Sequence, residues 1–71
     1  MRPSTMLTII KEAEEAGLPV TRNLGRVKVE GEKAPLLFWQ GGDVYRADID
    51  ADLARNLTPK EARELLGLPP R

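Results

Sequence analysis

The chain of 71 residues contains neither cysteine nor histidine. Without cysteine it can form no disulfide and no thiolate metal site, and without histidine it lacks the usual general base of a nucleophilic triad. Structural zinc sites are built almost entirely from these two residue types. We therefore predict that the protein is not an enzyme and that it uses no cofactor or metal ion.

Net charge and long apolar runs are also lacking. Eleven Lys and Arg residues balance eleven Asp and Glu residues, unlike a nucleic-acid-binding domain whose affinity rests on overall positive charge. No apolar run approaches the ~20 residues of a transmembrane helix, and residues 1–5 lack the apolar core of a signal peptide. Together with the absence of disulfides, this pattern predicts a cytoplasmic protein that does not contact membranes.

Amide side chains are scarce as well, since the chain has only Asn23, Asn56 and Gln40. Depletion of these thermolabile residues beside many charged ones is typical of thermophilic proteins. We therefore expect a thermophilic source.

Two amphipathic helices are predicted, one near each end of a single α+β domain that spans residues 1–71. Ser4 is the expected N-cap of the first, over residues 5–16, and Gly17 ends it. Its apolar stripe consists of Met6, Ile9, Ile10 and Ala13. The second begins with a capping box, in which Thr58 is the N-cap, Pro59 the first helical residue and Glu61 the reciprocal partner. Gly67 is expected to end it.

Two β-hairpins are predicted between the helices, giving an antiparallel sheet of three to four strands. The first joins residues 20–22 and 26–30 through a three-residue loop with Gly25 in the left-handed conformation. The second joins residues 36–40 and 43–49 through a two-residue Gly41-Gly42 turn. A short helical turn is expected from Asp50 to Asn56.

The two-residue turn fixes which side chains share a face of the sheet. It pairs Trp39 with Val44 and Leu37 with Arg46, and we expect these four on the side away from the first helix. It also pairs Phe38 with Tyr45, which we expect on the side that the first helix covers. Arg22, Arg26 and Lys28 of the first hairpin are the expected basic rim. An apolar aromatic centre with such a rim is typical of binding surfaces. The alternative is that the second helix packs over this side and makes Trp39 an ordinary core residue.

Two motif-like stretches do not meet the spacing that their chemistry needs. Residues 48–52 resemble the start of a calcium loop, but Leu53 stands at the sixth position and Pro59 at the twelfth, where Gly and Glu are required. Gly41-Gly42 joins two strands, whereas a phosphate-binding loop precedes a helix and ends in Gly-Lys-Ser/Thr. Helix capping and turn formation explain these residues.

Residues 16–22, followed by Gly25-Arg26-Val27-Lys28-Val29, resemble the front half of HicA-type toxins. Those proteins are small mRNA-cleaving partners in toxin–antitoxin pairs with a double-stranded-RNA-binding-like fold. Their Gly-Ser-His motif corresponds to Gly25, Arg26 and Val27, so the resemblance implies the fold and RNA contact without cleavage. The same region, up to Leu36, also resembles small docking domains of peptide-synthetase subunits, which bind a partner's tail.

The expected function is a non-catalytic interaction module that binds a protein partner or a second copy of itself. The runner-up is an RNA- or DNA-binding module, because Trp and Arg side chains stack on bases. A free sheet edge at residues 20–22 is a second route to dimerisation, because exposed edges recruit strands.

Overall fold

A computed structural model describes residues 1–50 and 52–70. The elements in chain order are α1 (Pro3–Glu15), β1 (Val20–Asn23), β2 (Arg26–Glu30), β3 (Pro35–Trp39), β4 (Val44–Arg46) and α2 (Pro59–Leu66). The four strands form one antiparallel sheet in the order β1-β2-β3-β4. The predicted α+β class, with a helix before and after an antiparallel sheet, is confirmed.

Helix α1 begins two residues earlier than predicted. Its N-cap is Arg2, which makes no side-chain capping bond, and Pro3 takes the first turn, where its fixed φ and missing N–H are favourable. Ser4 is thus inside the helix. The predicted stripe of Met6, Ile9, Ile10 and Ala13 is buried as expected. The predicted end at Gly17 is confirmed by its φ of 83° and by the 3.0 Å bond from the Leu18 N–H to the Ala13 carbonyl.

Helix α2 begins with the predicted capping box. The Glu61 N–H donates to the Thr58 hydroxyl at 3.2 Å, and the Thr58 N–H donates to the Glu61 carboxylate at 3.1 Å. Pro59 occupies the first turn, and Gly67 ends the helix with a φ of 82°. All four local signals of this helix therefore appear where the sequence placed them.

The first hairpin has a tighter turn than predicted. Asn23 pairs with Arg26, so the loop contains two residues, Leu24 and Gly25. Both have positive φ, 46° and 80°, which is the pattern of a type I′ turn and suits the twist of antiparallel strands. Gly25 is left-handed as expected, but the three-residue loop was wrong, because Leu24 also adopts a conformation that β-carbons disfavour.

The second hairpin has a longer turn than predicted. Phe38 pairs with Val44, and the Trp39 N–H donates to the Asp43 carbonyl at 2.8 Å. The loop is therefore Gln40-Gly41-Gly42, with only Gly42 at positive φ, 101°. The predicted two-residue turn was wrong by one position, and this shift moves every β4 side chain to the opposite face of the sheet.

Both helices pack on the same side of the sheet. One cluster of buried residues contains Ile9 and Ala13 of α1, Ala62 and Leu66 of α2, and the strand residues Val29, Leu36, Phe38 and Val44. The end of α2 docks on the β2–β3 turn, where the N–H groups of Glu32 and Lys33 donate to the carbonyls of Leu66 and Leu65. The fold is thus two layers, with a helical layer on one face of the sheet.

The segment between β4 and α2 contains little regular structure. Ala51, at the start of the expected helical turn, lies outside the described residues; beside it, the Leu53 N–H donates to the Asp50 carbonyl at 2.9 Å. Residues 54–58 are not helical. In the described ranges, neither helix is long and apolar enough to cross a membrane.

Candidate interaction surface

The side of the sheet opposite the helices carries an aromatic and basic set of residues. Side chains alternate along a strand, and Val29, Leu36 and Phe38 point into the core. Their neighbours therefore point the other way, and the register aligns them across strands, with Arg26 opposite Trp39 and Lys28 opposite Leu37. Leu37 in turn pairs with Tyr45. We call this set the open face: Arg26, Lys28, Leu37, Trp39 and Tyr45.

Helix α2 does not cover the open face. Its buried residues Ala62 and Leu66 belong to the cluster that holds Ile9 and Phe38, on the other side of the sheet. Leu37, Trp39 and Tyr45 are half-buried, and Trp39 lies outside that cluster. Of the two alternatives for Trp39, the described residues therefore support the one in which no helix packs over it.

Trp39 is covered in part by a cation. The Arg26 guanidinium carbon lies 4.2 Å from the centroid of the indole ring, which is cation–π geometry. Arg26 reaches this position because it is the cross-strand partner of Trp39. The indole Nε1 is buried, and no acceptor for its hydrogen lies within the described part of the chain. A buried donor without an acceptor lowers stability by about 1–3 kcal/mol.

Three of the seven predicted surface residues are not on the open face. Val44 is fully buried opposite Phe38. Its predicted place was wrong because the turn before it is one residue longer than predicted. Arg46 pairs with Leu36 on the helix side and bonds Asp48 at 2.8 Å. Arg22 is also on the helix side, where it bonds Glu14 of α1 at 2.8 Å.

Trp39, Leu37, Arg26 and Lys28 are brought together as predicted. Tyr45 joins them and was missed. The signal that could have identified Tyr45 is the alternative three-residue reading of the turn, with Gly42 rather than Gly41 left-handed. A three-residue turn places Tyr45, and not Val44, on the open face.

Most cations near the sheet are neutralised by carboxylates. Lys28 lies 3.3 Å from Glu30, and the arginines of β1 and β4 hold the bonds described above. Hydrogen bonds from Arg22 and Arg46 lower the pKa values of the Glu14 and Asp48 carboxyls, respectively. These carboxylates stay ionised at neutral pH and offset the charges of Arg22 and Arg46 on the helix side. On the open face Glu30 offsets Lys28, and Arg26 stacks on Trp39.

A large groove lies away from the open face, between the two helices. It has a volume of about 790 Å³ and is lined by residues such as Thr8, Pro59, Lys60 and Glu64. Glu64 is the only carboxylate that lines it among the described residues. In the same ranges no three Asp or Glu side chains are grouped in a way that could hold a metal ion. The groove therefore lacks the converging carboxylates that acid–base chemistry would need.

Comparison with known proteins gives no relative from which a role could be transferred: no family model matches the chain, and no match was found among curated proteins or solved structures. The resemblances to HicA-type toxins and to docking domains rest on the residues quoted above.

Proposed function

We propose that the protein is a non-catalytic interaction module that binds a protein partner, or a second copy of itself, through the open face. The observation that carries the proposal is the placement of both helices on one side of the sheet, which leaves Trp39, Tyr45 and Leu37 together on the other. Trp, Tyr and Arg dominate the energetic centres of protein interfaces. The open face concentrates all three types around a single position.

The unpaired indole hydrogen adds to this argument. A partner that displaces Arg26 and presents a carbonyl to Trp39 Nε1 would remove the cost of that buried donor. Carbonyl acceptors are abundant on any protein strand or loop. The open face therefore suits a partner with an apolar contact surface and an exposed backbone acceptor.

The test is capture of partners by the immobilised full chain as the wild type and as two variants. Trp39→Ala removes the centre of the open face, whereas Leu53→Ala removes an exposed leucine between β4 and α2 and serves as the control. We expect proteins bound by the wild type and by Leu53→Ala to be lost with Trp39→Ala. Identical sets of captured proteins for all three would contradict the proposal.

Fluorescence provides a direct check, because Trp39 is the only tryptophan in the chain. Binding at the open face should shift its emission to shorter wavelengths and reduce quenching by acrylamide. Emission that stays unchanged while a captured partner is bound at saturation would place the contact elsewhere.

The second candidate is a nucleic-acid-binding module, favoured by the stacking of Arg26 on Trp39 beside Tyr45. Aromatic side chains on a sheet are the usual platform for unpaired bases. Gel-shift assays with mixed single-stranded RNA and DNA at low salt decide between the candidates, because nucleic-acid binding must weaken steeply as salt is raised. The neutralised cations around the sheet make this the weaker candidate.

We also propose that the module acts in the cytoplasm of a thermophilic organism, on the grounds of composition given above. Neither point affects the tests of the open face.

A further inference from the structure

The two edges of the sheet differ in whether their backbone groups are occupied. At the β4 edge, Val44 directs its N–H and C=O away from β3. Its N–H donates to the Asn56 side-chain oxygen at 3.0 Å, and its carbonyl accepts from the Leu57 N–H at 2.8 Å. Asn56 is held in turn by a 2.9 Å bond to Asp43. The chain therefore occupies both outward groups of Val44 itself.

The β1 edge has no such cover. The Glu30 N–H donates to the Pro19 carbonyl at 3.0 Å, and hydrogen-bonded pairs alternate along an antiparallel ladder. Thr21 therefore bonds β2, whereas Val20 and Arg22 direct their backbone groups outward. Within the described ranges, these two N–H and two C=O groups have no hydrogen-bond partner. Such an edge is a template for another extended strand.

We propose that this edge pairs with β1 of a second copy of the chain in an antiparallel, two-fold symmetric arrangement. Val20 of each copy would exchange backbone hydrogen bonds with Arg22 of the other, which occupies all four outward groups. Thr21 would then lie on the two-fold axis, opposite Thr21 of the partner subunit. This interface uses the edge of the sheet and does not rest on binding at the open face.

Charge favours this register over its neighbour. In the proposed alignment Arg22 faces an apolar valine and Thr21 faces a threonine, a cross-strand pair that is favourable. Shifting one strand by two residues would place Arg22 directly opposite its own copy, and like charges in that position are destabilising. A shift of two residues in the other direction would pair Arg22 with Leu18, whose N–H already donates to the Ala13 carbonyl. Only the Thr21-centred pairing therefore occupies all four outward groups without opposing like charges.

Leu24 supplies a second, independent argument. It is 94% exposed although apolar, and it holds a left-handed backbone in a turn where Asn or Gly is favoured. Within one copy its side chain is therefore almost entirely in solvent. In the Thr21-centred register Leu24 lies level with Leu18 of the partner subunit, at both ends of the paired strands. The dimer therefore gives this exposed leucine an apolar neighbour.

The first test changes the charge at the axis. Thr21→Glu faces Lys28 within the chain, which is favourable, but faces its own copy in the dimer. We expect sedimentation equilibrium to show a dimer for the wild type and a dissociation constant raised about fivefold or more for Thr21→Glu and for Thr21→Lys. An equimolar mixture of the two variants should regain association, because opposite charges then meet. A wild type that stays monomeric up to millimolar concentration would overturn the proposal.

The second test fixes the register by cross-linking, since the chain has no other cysteine. Non-hydrogen-bonded antiparallel partners have Cα atoms about 4.5 Å apart, within disulfide reach. Thr21→Cys should therefore form a covalent dimer under mild oxidation. Asn23→Cys is the matched control, because the register separates its two copies by about 13 Å along the strands. Equal cross-linking of both variants would refute the register.

The third test separates a role in association from a role in folding. Leu24→Asn suits the turn better, so we expect the monomer to unfold at a higher urea concentration than the wild type. The same change should raise the dimer dissociation constant about tenfold, because the apolar contact is lost. Trp39→Ala should leave this dimer intact. If Trp39→Ala abolishes association and Thr21→Glu does not, the copies meet through the open face and the edge pairing is wrong.

Discussion

At the scale of single residues, one buried ion pair connects the helices. Arg63 of α2 is 8% exposed, and its Nη1 lies 2.5 Å from the Glu12 carboxylate of α1. Its Nε also donates to the Pro69 carbonyl at 2.9 Å. The guanidinium therefore joins α1, α2 and the C-terminal segment, and its burial makes it dependent on these partners.

Glu12→Ala should destabilise the fold by about 2 kcal/mol or more, because it leaves a buried cation without its counter-ion. The double variant Glu12→Ala, Arg63→Met removes the charge as well and should recover part of that loss. Urea denaturation of the wild type, of the single variants Glu12→Ala and Arg63→Met, and of the double variant measures both effects. A double variant as unstable as the sum of the two single variants would contradict this account of the pair.

A side chain at Gly42 would be strained. Its φ is 101°, and a β-carbon there would lie 2.2 Å from the Met1 carbonyl oxygen. Its own carbonyl accepts a 3.0 Å bond from the Met1 ammonium group. The neighbouring Gly41 has open space and no positive φ.

Gly42→Ala should therefore destabilise the fold by about 1–3 kcal/mol. Gly41→Ala is the matched control and should change stability by less than about 1 kcal/mol in either direction. Thermal unfolding of the two variants followed by circular dichroism makes the comparison. Equal losses would show that the hairpin does not depend on which glycine is left-handed.

At the scale of secondary-structure elements, local sequence signals predicted those features whose hydrogen bonds join residues close in sequence. The capping box, the proline at the first turn and the terminal glycine of α2 involve residues close in sequence, and the sequence predicted all of them. The predicted buried stripe of α1 is also confirmed, because helical periodicity can be identified from the spacing of apolar residues alone.

The turns were not predictable in this way, because distant contacts select their length. In the second hairpin the Met1 ammonium group bonds Gly42, and Asn56 bonds Val44. Both contacts join parts of the chain that are far apart in sequence. The candidate surface followed this pattern: Trp39 and Leu37 depend on strand alternation and were assigned correctly, whereas Val44 and Tyr45 depend on the turn and were exchanged.

The start of α2 should make stability depend on pH. Hydrogen bonds from Arg55 and from the Thr58 backbone lower the pKa of Glu61 from its ordinary 4.5 to about 2. Because the folded-state pKa is the lower one, Glu61 contributes stability above pH 4.5 that is lost as pH falls toward 2.

Glu61→Gln keeps the capping geometry but removes this titration, because Gln is also accepted in a capping box. We expect the stability difference between wild type and variant to be constant above about pH 5 and to shrink as pH falls toward 2. Urea denaturation at a series of pH values measures it. A difference that does not vary with pH would show that the Glu61 charge does not stabilise the helix.

At the scale of the whole molecule, both helices lie on one side of the sheet, which separates the residues that stabilise the fold from those proposed to bind a partner. The helical side holds the buried cluster and thus the stability of the fold. The open face contributes little to that cluster, so its residues are free to vary for binding. Trp39→Ala should accordingly reduce stability far less than Phe38→Ala, which removes a fully buried side chain and should cost about 3–5 kcal/mol. Comparable losses in urea denaturation would assign Trp39 to the core.

Asn56 has a consequence for how large an assembly the chain can build. A sheet with two bare margins can grow without limit, as in fibrils, because each added copy presents the same unoccupied margin to the next. Here the Asn56 side chain and the Leu57 N–H occupy both outward groups of Val44 at one margin. Growth through the proposed β1 pairing would therefore end with the second copy. On this proposal Asn56 and its neighbour Leu57 set the stoichiometry and keep a short, strand-rich protein from polymerising.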